Sequence, residues 1–118
     1  MKLIKKHEQI EADWREERGD YAAAQALRDC PWEIGKTYYF RLATYAWCGT
    51  VRAVGPNEIV LEPAAWVADS GRFANAMAEG LTSVDQSEIE PVDGRVIIGR
   101  GALIDSVEYP HDVPEEQK

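Results

Sequence analysis

Cysteine and histidine are scarce in this chain of 118 residues: two of each, Cys30 and Cys48, His7 and His111. No spacing among them, or between them and the acidic residues, matches a metal-ligand pattern, so no metal site is expected. The histidines fall in segments not expected to be rigid, and Cys48 has no base near it in sequence. A buried structural thiol is a better reading of Cys48 than a nucleophile. Phosphate-binding glycine loops, nucleophile elbows and dinucleotide fingerprints are missing, so neither an enzymatic role nor a cofactor is expected and no residue is assigned as catalytic. Long apolar runs are missing too. Lys2, Lys5 and Lys6 open the chain, but Glu8, Glu11 and Asp13 interrupt any signal-like segment, and nothing approaches the roughly 20 apolar residues of a membrane span. A cytoplasmic protein with no membrane partner and two reduced thiols is the expectation, with a Cys30–Cys48 bridge left open.

Positive charge is also short. Thirteen Lys and Arg stand against 21 Asp and Glu, a formal net charge of -8. Such a field repels phosphate backbones and disfavours RNA as a partner. Residues 41–100 hold five arginines and no lysine, whereas the tail from Asp105 carries Asp105, Glu108, Asp112, Glu115 and Glu116 against Lys118 alone. Any basic spot is small and built from arginine.

What is present supports a folded domain. The hydrophobic share is 45%, with four Trp and five Tyr, and a chain of this size can bury a core without staples. In residues 2–29, Leu3, Ile10, Trp14, Tyr21 and Ala24 recur at helical spacing. Gly19 and Asp20 read as a break between two helices or a kink in one. After Pro31 the period changes. Residues 36–44 are aromatic and β-branched and read as a strand. Residues 47–54 alternate as a second strand, with Gly49 marking a bend or bulge. Gly55, Pro56 and Asn57 have turn chemistry, and a third strand opens at Glu58 and extends toward Val67. Residues 72–79 read as a short helix closed by Gly80, and residues 81–94 as a polar excursion loop. Strands over residues 95–98 and 102–109 flank Gly99, Arg100 and Gly101. The expected class is α+β, mainly β: a helical arm over 1–30, a small five-stranded bent barrel over 31–110 with a helical insertion at 69–94, and an acidic mobile tail over 111–118.

The segment Gly49 to Val54, the turn at Gly55–Asn57 and the apolar run Ile59, Val60, Leu61 resemble the first signature of the Sm-like barrels, including their bacterial RNA-chaperone branch. Ile97 and Ile98 followed by Arg100, Gly101, Ala102, Leu103 and Ile104 resemble the second signature more closely. The resemblance spans residues 36–109 apart from the insertion, and an SH3-like barrel gives much the same pattern. The acidic residue usual before the first turn is Gly55 here, and the asparagine usual after Arg–Gly is absent. The resemblance implies a ring or other homo-oligomer and a binding role, with RNA as one implied ligand. A second resemblance, through Ala65 to Phe73 and Val96 to Gly101, is to small proteins of tailed bacteriophages. It implies a phage origin, a host-cytoplasmic location and a host protein as partner.

The ligand-binding candidates are Arg100, Gly101, Asn57, Arg72, Phe73 and Trp66. Arg100 between glycines could offer a guanidinium to phosphate or carboxylate; the plainer alternative pairs it with a local carboxylate such as Asp105. Asp69 to Phe73 could hold an anion at a helix start, or Asp69 or Ser70 could simply cap the helix with Phe73 as a core anchor. Trp66 is an interface candidate. Tyr38, Tyr39, Phe40, Tyr45 and Trp47 could stack bases, although alternation sends about half into the core. The function these residues suggest is a non-enzymatic, self-assembling protein binding a small anionic or nucleotide-like ligand or a host protein, with RNA binding and structural protein–protein contact as alternatives.

Overall fold

The computed structural model describes residues 30–118, so the helical reading of residues 2–29 lies outside the described residues. The chain divides into two compact units, and the second, Glu33–Lys118, is mostly β. Its strands are β1 (Thr37–Arg41), β2 (Ala46–Val54), β3 (Glu58–Asp69), β4 (Glu88–Val92), β5 (Val96–Gly99) and β6 (Asp105–Glu108). The helix α1 (Phe73–Glu79) and a 3-10 turn (Leu81–Ser83) lie between β3 and β4, and a second 3-10 turn (Arg100–Ala102) joins β5 to β6.

All pairings are antiparallel, in the order β4-β3-β2-β1-β6, with β5 also on β3. The long β3 serves two partners: Glu58–Leu61 lie against β5 and Ala64–Asp69 against β4. The exchange falls at the cis Glu62–Pro63 bond. No pairing joins β6 to β5 or to β4, so this is a six-stranded open sheet rather than the five-stranded closed one expected. The extra strand is β4, inside the segment read as a loop. Glu88, Glu90 and Pro91 make it look polar and broken, yet an edge strand needs only its inward positions apolar and tolerates proline. Ile89 supplies that inward position and is buried.

Apolar packing covers both faces. On one face, Tyr39, Cys48 and Ala65 lie in register, as do Ala46 and Val67. They pack with Ala76 of α1, Leu81, Val84, Ile89, Tyr109 and Val113. On the other, Phe40 pairs with Trp47 and Tyr38 with Gly49, Gly49 in turn facing Ala64. Tyr38, Tyr39 and Phe40 are therefore buried in succession, where alternation alone would bury about half of such a run. Gly49 is the hinge of this arrangement. A Cβ there would come within 2.8 Å of Leu61 Cδ1 and 3.2 Å of the Ala64 Cβ, and the β2–β3 register shifts just after it. Gly49→Ala is expected to cost about 1–3 kcal/mol through overpacking; an unchanged urea midpoint would contradict this.

Residues 111–118, expected as a mobile tail, are docked against α1 and β4. His111 Nε2 lies 2.9 Å from the Met77 carbonyl oxygen, and Val113 is buried. Lys118 and Ile89 exchange two backbone hydrogen bonds of 2.8 Å. The Lys118 ammonium donates to the carbonyls of Thr82 and Val84. Val113 and Pro114 are the buried residues of this acidic segment.

Candidate functional site

A cleft of about 430 Å³ opens where β1 and β6 meet the start of α1, lined by Tyr39, Arg41, Ser70, Phe73, Asp105, Ser106 and Val107. Its construction follows from strand period and register. Tyr39 and Arg41 are two apart on β1 and so share a face; Asp105 and Val107 are two apart on β6. Register sets Tyr39 opposite Val107 and Arg41 opposite Asp105, which brings all four to one patch. Arg41 Nε donates to Asp105 Oδ1 at 2.9 Å, and Nη2 donates to Oδ2, a two-pronged exposed pair. Exposed pairs stabilise little, so this one fixes the shape of the rim more than it holds the fold.

Phe73 forms the opposite wall, edge-on to Tyr39 at 5.6 Å. It is placed by the turn before α1, where Asp69 Oδ1 accepts the Gly71 N–H at 2.8 Å. Gly71 has φ +69°, a conformation that favours glycine, and a Cβ there would run into Val84. Burial pushes the Tyr39 hydroxyl above its ordinary pKa, with a hydrogen bond from the Ser70 side chain opposing the shift. The cleft thus has an apolar interior, a neutral hydroxyl pair and a charge-matched rim.

The sequence candidates fall in three separate places. Arg100 and Asn57 are neighbours, the Arg100 N–H donating to the Asn57 carbonyl at 2.9 Å, and exposed Gly101 follows in the 3-10 turn. Phe73 lies in the cleft. It is 48% exposed, so it is only partly covered, its ring lying edge-on to buried Tyr39 at the margin of the core. Arg72 lines a different, polar groove with Asn75, Glu79 and Asp85. Neither Asp69 nor Ser70 caps α1: the N-cap is Arg72, which makes no side-chain cap bond. Trp66 is half-buried and packs on Tyr45 with ring centroids 5.9 Å apart, Tyr45 also meeting Trp47 edge-on. Asp105 pairs with Arg41, a contact spanning 64 residues that no local pattern could announce.

Cys48 is fully buried, and burial pushes its thiol up to about 12, a protonated and inert group. No disulfide joins it to Cys30. Among the described residues, no group of three His, Cys, Asp or Glu could hold a metal ion. Among them too, no helix is long and apolar enough to cross a membrane. No protein-family model, curated protein or solved structure matches the chain.

Proposed function

We propose that the chain is a non-enzymatic binding protein that assembles with copies of itself through its last two strands, its sheet curling into an open barrel of the Sm-like or SH3-like plan. The observation that carries this reading is where apolar surface is left uncovered. Six large apolar side chains are exposed among the described residues. Three lie on or beside β5 and β6: Ile97, Ile104 and Val107; a fourth, Phe73, faces β6 across the cleft. Scattered exposed apolar residues mean little, whereas a concentration of them marks a contact surface. The barrel reading is supported by the path of the chain. The 3-10 turn at Arg100 carries it from β5, beside β3, to β6, beside β1 at the other side of the meander.

The cleft offers a seat for a ligand or a partner's side chain. Of the partners suggested by the sequence, a protein suits it better than a small anion, because Asp105 already engages its one guanidinium, that of Arg41. The net charge of -8 works in the same direction. Light scattering over a dilution series tests the reading: assembly that persists at micromolar concentration supports it, and a single chain at every concentration removes it. Retention of uridine-rich RNA on filters at low salt would replace it with the RNA-binding alternative.

A further inference from the structure

We infer that residues 111–118 are a strap lying in a peptide-binding groove, and that the groove accepts in their place an extended basic segment of a partner protein. The groove runs between the end of α1, the 3-10 turn after it and the outer edge of β4. The strap shows how an occupant is held. Val113 and Pro114 are buried, Val113 within the cluster that includes Ala76, Leu81, Val84 and Ile89. His111 Nε2 donates to the Met77 carbonyl at 2.9 Å. Lys118 and Ile89 exchange both backbone hydrogen bonds, the pattern of a residue pair in antiparallel strands. Those groups of Ile89 face away from β3, so the strap meets β4 on its open side. This is strand addition at a sheet edge, a recurring way of holding an extended peptide.

Charge says what the better occupant is. Residues 73–94, which build the groove, carry Glu79, Asp85, Glu88, Glu90 and Asp93 and no lysine, arginine or histidine. Arg72, just before this stretch, shares a separate groove with Glu79 and Asp85. Glu88 and Glu90 therefore carry the argument. Both are exposed, both flank Ile89, and neither forms an ion pair among the described residues. Against them lies a strap that is itself acidic, with Asp112, Glu115 and Glu116 exposed along it. The charged side chain that the surface does engage is the cation: the Lys118 ammonium donates to the carbonyls of Thr82 and Val84. A segment that keeps the apolar residue and exchanges the carboxylates for cations removes the like-charge contact and retains the rest. The strap is thus a displaceable internal occupant. It shields the edge of β4 until such a partner arrives.

The test uses the full chain and labelled peptides spanning residues 111–118, with binding read by fluorescence anisotropy. In the first peptide Asp112, Glu115 and Glu116 are replaced by lysine; the second also replaces Val113 by serine; the third keeps the natural sequence. The first should bind the full chain, and the other two about tenfold more weakly or worse. In the chain, Val113→Ser loosens the strap and leaves the groove intact. It should tighten the first peptide about tenfold, because the groove stands open in more of the molecules. Lys118→Ala, at an exposed position, should act in the same direction. Glu88→Lys combined with Glu90→Lys should remove the preference for the basic peptide over the natural one. Equal binding of the first two peptides would mean attraction by charge alone, and the groove assignment falls. Equal binding of the first peptide to wild type and to both strap variants means the strap does not occupy its site, and the inference falls. No binding to any of the three overturns it as well. Self-association is read separately by light scattering and stands or falls independently of these outcomes.

Discussion

Phe40→Ala should lower the unfolding free energy by about 3–5 kcal/mol, the range for removing a buried aromatic side chain. Phe40 has no exposed surface and lies in β1, between the partners β2 and β6. Its register partners are Trp47 and Ser106, and its ring stacks at a tilt on Tyr38 with 5.8 Å between centroids. No small shift of one strand can close a void at the centre of a three-strand contact. A loss of this size would consume about a fifth or more of the stability of an ordinary domain. Urea denaturation followed by tryptophan fluorescence gives the value. A loss under about 1 kcal/mol would mean that this face of the sheet is not a core.

Removing residues 111–118 should cost about 2–3 kcal/mol, although the segment is acidic and lacks regular structure. Burying one valine contributes roughly 1.5–3 kcal/mol, and Val113 is buried against the cluster of Leu81, Val84 and Ile89. The hydrogen bonds of His111 and Lys118 to Met77, Ile89 and Thr82 act against the entropy of ordering the segment. The truncated protein should unfold at lower urea and be cut faster by protease around β4, whose Ile89 backbone groups lose their partner. An unchanged midpoint would show that the docked tail contributes nothing to the fold.

Which features were legible in the sequence depends on the range of the cause. Turn chemistry is local, and it read correctly: Gly55 donates to the Glu58 carbonyl at 2.8 Å across the expected turn, and Gly80 ends α1 with φ +101°. Gly49 was legible as a bend because an isolated glycine in an alternating strand has few other reasons to be there. The strand β4 was not, since Glu88, Glu90 and Pro91 outweigh Ile89 in any count of apolar residues. The cleft was beyond reach for a different reason. Its walls come from β1, the turn before α1 and β6, and only the β1–β6 register brings Arg41 to Asp105 and Tyr39 to Val107. Phe73 was among the binding candidates and lines the cleft, whereas the alternative of a core anchor does not fit its 48% exposure. A phenylalanine at a helix start also reads as an anchor, and only the long-range contact of its ring with Tyr39 of β1 places it on the cleft wall.

Native mass spectrometry of the full chain, sprayed over a range of concentrations, tests self-association most directly. The account predicts ions at whole-number multiples of 13.2 kDa, giving way to the single chain when Ile97 is replaced by glutamate. Ions of the single chain alone, at every concentration of the unaltered protein, would contradict it.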